Sequence, residues 1–320
     1  MKVNIELLKE FEKTLDTVYP EKGKIPIKIL GFGEISLVFE ILDDPERLAY
    51  KRIPIFDNEK QVKRHLWAYN EYCKILNEEI GLNLPEHKAL WFKDHKGQIQ
   101  FYCVQQKIDP EAVGNKVIHN ISNDEIEKLI LLTMRELQKV WTFNDESRIY
   151  DVGIDGQISN FVVIDYDHRN PRINDDSKLL YLDTSTPLFR KNNIEAMEAE
   201  LFLKSAPSFL RFLLKALFVQ EVVDRYYDWR SVTIDLIANF FKEQKPEIIP
   251  RLIRRINRFF KEEVTDFEIE PITFEEVHKY YKNDKMIWVV FQNARRFDRY
   301  MKTKLLKKTY EFYLPEKIKR

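Results

Sequence analysis

The chain has 320 residues, 44% of them hydrophobic and 13% aromatic, which is enough to bury a sizeable core in one large or two smaller domains. Lys+Arg and Asp+Glu both number 52, so overall charge gives no reason to expect a nucleic-acid partner, and two cysteines without a CxxC spacing argue against a disulfide framework or a zinc site. No signal peptide or membrane span is expected: Met1–Glu10 is a charged amphipathic helix without an apolar h-region, and the most apolar later stretch, Phe209–Val223, is interrupted by Arg211, Lys215, Gln220 and Glu221. The expectation is a cytoplasmic protein with no membrane partner.

In chain order, the first informative segment is Gly31-Phe32-Gly33-Glu34-Ile35-Ser36-Leu37-Val38, followed one short β-hairpin later by Leu48-Ala49-Tyr50-Lys51. Glycines at the bend between two strands let backbone N–H groups approach phosphate oxygens, and an ammonium on the next strand reaches the same anion. The plainer alternative is a turn in which Gly31 and Gly33 supply positive φ and Lys51 is solvated. Residues 58–79 read as a helix, with Val62, Leu66, Tyr69, Cys73 and Leu76 three and four apart. Glu71, central on that helix, is the favoured partner for Lys51, with Glu59, Glu78 and Glu79 as competitors.

Ile99–Gln106 reads as a strand leaving a Lys96-Gly97 turn and ended by Asp109-Pro110. It is either an ordinary edge strand or a hinge whose free backbone groups pair with a purine edge, and Gln105 is counted among the nucleotide-contacting residues. From Lys107 to Gly114 strand-like sequence gives way to helical periodicity, which puts a boundary between residues 1–107 and 108–320. A helix over about 123–141 carries Ile126, Leu129, Ile130, Thr133, Leu137, Val140 and Trp141 along one face. Then come Asp155-Gly156-Gln157-Ile158-Ser159-Asn160, the apolar strand Phe161–Ile164, a polar loop at Asp165–Arg172, and a second strand, Lys178–Leu182, ending in Asp183-Thr184-Ser185. Asp155, Asn160 and Asp183 are thus expected at the ends of adjacent strands. A carboxylate and a carboxamide are oxygen ligands that suit Mg²⁺, and a second carboxylate nearby can accept a hydroxyl proton.

The order Gly-loop, strand Lys, helix Glu, Asp-x4-Asn and strand-end Asp resembles the protein-kinase-like superfamily, whose motifs run G-x-G-x-x-G-x-V, V-A-I-K, H-R-D-x-x-x-x-N and D-F-G. Gly31, Gly33 and Val38 match the first motif, with Ser36 in place of the third glycine; Ala49 and Lys51 match the second. Asp155 and Asn160 keep the third spacing, although Gly153 stands where the family has histidine, and Asp183 matches the fourth, followed by Thr184-Ser185. No Ala-Pro-Glu follows, and Pro187-Leu188-Phe189-Arg190 leaves little room for a long activation segment, a departure closer to the aminoglycoside- and choline-kinase-like branch and the atypical kinases. Gly-Phe-Gly-Glu-Ile-Ser together with Phe241–Pro246 also resembles an uncharacterised family of kinase-like prokaryotic proteins.

The resemblance implies an α+β bilobal fold with a small β-rich N-lobe and a larger, mainly helical C-lobe. It implies ATP and Mg²⁺ as cofactors: Gly31, Gly33 and Ser36 over the phosphates, Lys51 held by Glu71, Asn160 and Asp183 on the metal, and Asp155 at the acceptor hydroxyl. The acceptor is expected to be a small molecule in preference to a protein. The rival reading is a pseudokinase, a nucleotide-binding or scaffold module without catalysis, kept open by Gly153 and Ser185. From residue 192 onward the chain reads as helices broken at Pro207, Pro246, Pro250 and Pro271. Residues 241–320 hold 20 Lys+Arg against 13 Asp+Glu. The expected arrangement there is amphipathic helices with Ile253, Ile256, Phe260, Ile287, Val290, Phe291, Ala294, Phe297 and Met301 packed inward and basic faces solvated. A nucleic-acid surface is the weaker alternative.

Overall fold

The computed structural model describes residues 1–207, 210–211 and 219–314, so most of the apolar stretch Phe209–Val223 lies outside the described residues. The N-terminal part is built on a five-stranded antiparallel sheet of order β1-β2-β3-β5-β4. Its strands are β1 (Ile27–Phe32), β2 (Leu37–Ile41), β3 (Leu48–Ile53), β4 (His87–Lys93) and β5 (Ile99–Gln106). Helix α1 (Ile5–Thr14), capped by the Asn4 side chain, covers one face, where Leu8 and Phe11 pack with Phe39, Tyr50, Tyr102 and Val104. Helix α2 (Glu59–Lys74), capped by Asn58, covers the other through Val62, Tyr69 and Cys73 against Ile53, Phe101 and Cys103.

β5 is not an edge strand, because it pairs with β3 on one side and β4 on the other. The alternation of β3 decides what each face receives. Leu48, Tyr50 and Arg52 turn toward α1, whereas Ala49, Lys51 and Ile53 turn toward α2.

Beyond β5 come the single-turn helix α3 (Gly114–Val117) and the long α4 (Asn123–Glu146), which starts on a Ser122/Glu125 capping box. All seven apolar-face residues read from the sequence, from Ile126 to Trp141, are buried. Five short strands follow: β6 (Tyr150–Val152), β7 (Phe161–Val163), β8 (Leu179–Tyr181), β9 (Phe189–Lys191) and β10 (Ile194–Glu195). β7 and β8 form a hairpin, while β6, β9 and β10 form a small sheet. The 165–172 loop between β7 and β8 is largely exposed, as its polarity implies.

Three long helices complete the chain: α5 (Trp229–Lys242), α6 (Ile249–Glu262) and α7 (Phe274–Tyr300). Pro250 does not break a helix but sits in the first turn of α6, where its missing N–H costs nothing. Ile253, Ile256 and Phe260 are buried as expected. Phe291, Ala294 and Met301 are half-buried, but Ile287, Val290 and Phe297 are exposed, contrary to expectation, because α7 packs on its opposite face through Val277, Gln292 and Arg295 and stacks Tyr281 on Phe241 of α5.

The chain end returns to the N-terminal sheet. Arg52 Nη1 donates to Glu311 O at 3.0 Å, Phe32 and Tyr313 rings lie 5.8 Å apart, and Arg295 Nη2 donates to Tyr313 O at 3.2 Å. Arg52 is the centre of this junction. Its guanidinium makes a two-pronged pair with Glu12 (2.7 and 3.1 Å) and reaches Gln100 Oε1 at 2.9 Å, while the Tyr102 hydroxyl donates to the same carboxylate.

Both partners of that ion pair have side chains nearly closed to solvent, 4% and 3% exposed. Removing one charge leaves the other buried and uncompensated, a loss of about 3–5 kcal/mol in such pairs. Glu12→Ala is therefore expected to lower unfolding free energy by roughly that amount. Urea denaturation monitored by circular dichroism measures it, and a loss below about 1 kcal/mol would show that the pair does not hold α1 and the chain end to the sheet.

Candidate active site

The β1–β2 bend does not use positive φ. Among the described residues the glycines with positive φ are Gly81 and Gly97, so the turn-only explanation for Gly31 and Gly33 fails. Gly33 instead lies close to Ser36, whose hydroxyl would have to turn away to admit a side chain. Its N–H donates to Ser36 O at 3.0 Å, and a Cβ there would fall 2.9 Å from Ser36 Oγ. A Cβ on Gly31 would meet open space, and Ser36 is buried.

Lys51 comes from β3 on the α2 side of the sheet, and its Nζ donates to Asp183 Oδ1 at 2.9 Å. Ser185 Oγ donates to the same oxygen at 2.9 Å. Burial works against both charges, but the pairing outweighs it: Lys51 is raised above the ordinary lysine value, and Asp183 is held below the usual carboxylate range by Lys51 and Ser185.

Glu71 is not brought to Lys51. Its Oε1 accepts from the Tyr150 hydroxyl at 2.5 Å and lies 3.8 Å from Lys191 Nζ. The geometry of α2 is the cause: Tyr69 and Cys73 take the positions facing the sheet, Tyr72 turns down to donate to Gly153 O at 2.9 Å, and the neighbouring Glu71 is carried toward β6 and β9. Gln105 is also placed differently from the hinge reading. It sits inside the sheet opposite Ala49 and His87, so it offers no free backbone edge, and its side-chain Nε2 donates to Leu182 O at 2.9 Å and Thr184 Oγ1 at 3.4 Å. The strand ends at Gln106, so unpaired backbone begins at Lys107.

The β7–β8 hairpin gathers the other three residues. Asn160 precedes β7, Asp183 lies just past β8, and Leu182 N–H donates to Asn160 O at 2.8 Å. Asn160 Nδ2 donates to Asp155 O at 3.1 Å, which fixes the loop between them. Asp155 Oδ1 accepts from Gln157 N–H at 3.1 Å. Burial pushes the Asp155 carboxyl up to about 7, with Asp235 and Asp183 adding to the rise. A side chain at Gly153 would be tight, since a Cβ would approach Tyr226 O to 3.0 Å and the Tyr227 ring to 3.3 Å, at the position where the resembling family has histidine. After Asp183 the chain reaches β9 by Phe189, which leaves no long segment there.

Sequence reasoning missed the support under Asp155. Gln157 Nε2 donates to Asp235 Oδ2 at 2.9 Å, and Asn239 Nδ2 donates to Gln157 Oε1 at 3.1 Å. The available signal was Asp235 and Asn239, two polar residues four apart within the otherwise apolar run Ile234–Phe241 of α5. Ser185, a departure from the family motif in sequence, takes part in the site through its bond to Asp183.

The donor set fits a hard cation completed by phosphate oxygens. Lys51 and the Ser185 hydroxyl donate to Asp183 Oδ1, the Ser185 backbone N–H also hydrogen-bonds to this carboxylate, and Asn160, donating through Nδ2, keeps its carbonyl oxygen for a ligand. Among the described residues no group of three or more His, Cys, Asp or Glu gathers to hold a metal by itself. This is a partial oxygen site of the kind that suits Mg²⁺ with a phosphorylated ligand.

These features define an α+β protein with a lysine–aspartate pair at the junction of sheet and hairpin. The chain belongs to the family of unknown function DUF6206, whose model matches residues 17–299. No curated protein matches it in sequence. It is similar to a solved structure of WaaP in complex with acyl carrier protein, at 12% identity and TM-score 0.32, over 76% of this chain and 90% of that one. It is also similar to a double mutant of the PknI kinase domain of Mycobacterium tuberculosis, at 11% identity and TM-score 0.30, over 67% of this chain and 73% of that one. At such scores the likeness says nothing about chemistry, which is read from the residues themselves.

The raised Asp155 carboxyl has a measurable consequence. The folded state holds its proton at pH values where the unfolded chain, near 4, has lost it, so Asp155 lowers stability as pH rises from about 4 through about 7. Asp155→Asn is expected to raise the melting temperature at pH 8, by roughly 2–4 °C, and to have little effect at pH 4. Differential scanning calorimetry at both pH values checks this, and an equal shift at the two would rule out a raised Asp155.

Proposed function

We propose that the protein is an ATP- and Mg²⁺-dependent phosphotransferase of bilobal, kinase-like build, with residues 1–107 as the smaller lobe and 108–320 as the larger. The observation that carries the reading is the convergence of Lys51, Asp183, Asp155 and Asn160, with Lys51 Nζ 2.9 Å from Asp183 although 132 residues separate them. Phosphoryl transfer asks mainly for positioning and charge neutralisation, and these groups are of the right kinds for both.

In this reading the Gly31–Ser36 bend covers the phosphates with backbone N–H groups, and Lys51 turns part of its charge from Asp183 to the phosphate oxygens. Asn160 and Asp183 would hold Mg²⁺, which when bound neutralises phosphate charge. Asp155 accepts the proton of the acceptor hydroxyl. Its carboxyl near 7 suits that role, because a base poised near the working pH combines availability with driving force. Gln157, backed by Asp235 and Asn239, holds Asp155 in place. The short path from Asp183 to β9 favours a small-molecule acceptor, since it leaves no long segment to dock a polypeptide.

A nucleotide-binding module without catalysis is the second reading. It is favoured by Glu71, whose contacts with Tyr150 and Lys191 leave Lys51 without a helix carboxylate.

Two measurements separate the readings. ATP with Mg²⁺ at about one hundred times its dissociation constant should stabilise the fold by about 2.7 kcal/mol in a thermal-shift assay, and Lys51→Ala and Asp183→Ala should remove most of this. Absence of any shift for the unmodified chain would refute a nucleotide site. Asp155→Asn should keep the shift but lower kcat for ATP hydrolysis or autophosphorylation by about 10²- to 10⁴-fold. A shift without turnover in the unmodified chain would support the non-catalytic module.

A further inference from the structure

The outward face of α7 is not used by the proposed chemistry. Met286, Val289, Val290, Phe297 and Tyr300 are 62, 41, 54, 56 and 56% exposed. At 100° per residue they fall in one sector about 100° wide, opposite the sector that holds Val277 and Arg295. Large apolar side chains aligned along one exposed stripe mark an interaction surface, unlike single scattered ones.

Charge completes the pattern. Lys279 and Lys282 continue the stripe at one end, Lys304, Lys307 and Lys308 lie beyond the other, and all five are exposed. The acids between Lys279 and Lys308 are Asp284 and Asp298, and each is engaged, with Lys242 at 3.1 Å and with Lys302 at 2.8 Å. Between Lys279 and Lys308 the face is therefore apolar in the middle and cationic at both ends, with no exposed acid, and the exposed Glu275 lies one turn before Lys279 on the same side.

We propose that this face of α7 lies on an anionic lipid bilayer, with Met286 to Tyr300 at the boundary of headgroups and acyl chains and the lysines at the lipid phosphates. The chemistry matches an interfacial helix, whose lysine stems lie along the apolar surface while their ammonium groups reach outward. The contact is peripheral, because no described helix is long and apolar enough to cross a membrane. It departs from the sequence expectation of no membrane partner, which rested on the lack of such a span.

A second copy of the chain fits less well. The spacing of Met286, Val290, Asn293, Phe297 and Tyr300 alternates four and three as in a coiled-coil seam. A parallel pair, however, sets each lysine end against its copy, and an antiparallel pair centred on Asn293 sets Lys279 and Lys282 against Lys307 and Lys304. Like charges meet either way, at a cost to association.

The test is flotation of the full chain with phosphatidylcholine vesicles, with and without about one-third phosphatidylglycerol, at low and high salt. Binding to the anionic vesicles is expected to exceed binding to the neutral ones about tenfold or more and to weaken with salt. Val290→Glu/Phe297→Glu should abolish it with the melting temperature unchanged, and Lys304→Glu/Lys307→Glu/Lys308→Glu should weaken it independently. Equal flotation with both vesicle types, no flotation, or a dimer in light scattering that Val290→Glu/Phe297→Glu dissociates would each overturn the proposal.

Discussion

Two adjacent cations on β3 organise the molecule. A strand sends neighbouring side chains to opposite faces, so Lys51 and Arg52 cannot serve the same side of the sheet. Arg52 is committed to the α1 face, where Glu12, Gln100, Tyr102 and the Glu311 carbonyl satisfy it, and it thereby ties the first helix and the end of the chain to the sheet. Lys51 is committed to the α2 face and to Asp183. A one-residue slip of β3 would exchange the two faces, carrying Leu48 and Tyr50 out of the α1 core together with Arg52 and breaking the two-pronged Arg52–Glu12 pair.

The Asp155 loop opposite Lys51 is held by a succession of hydrogen bonds from several elements. Tyr72 fixes Gly153, Asn160 fixes the Asp155 carbonyl, and Gln157 transmits the position of Asp235 and Asn239 on α5 to the Asp155 carboxylate. Burying Asp155 near Asp235 and Asp183 raises its carboxyl and destabilises its ionised form.

Helix α7 has two distinct jobs. Its inner face stacks on α5 and lends Arg295 and Arg299 to the carbonyls of Tyr313 and Leu314, which holds the returning chain against the sheet. The outer face is free of that work. The Phe32–Tyr313 ring contact brings this returning segment to the Gly31–Ser36 bend, so α7 and the candidate phosphate loop belong to one continuous packing arrangement.

Local pattern in the sequence determined much of this. The period of α2 and α4, the β1–β2 hairpin, and the placement of Asn160 and Asp183 at the ends of the β7–β8 hairpin were legible because each depends on residues close along the chain, whereas Asp155 sits in the loop before that hairpin. Tertiary packing decided the rest. Glu71 and Gln105 have the residue types a nucleotide site needs, but their directions depend on what fills the space around α2 and β5, namely Tyr72 beneath one and β4 beside the other. The outward stripe of α7 carries the same helical period as a buried one, and period alone says only that a helix has two faces. Which face meets the protein is set by partners far away in sequence: the Phe241 ring and the carbonyls that Arg295 and Arg299 reach.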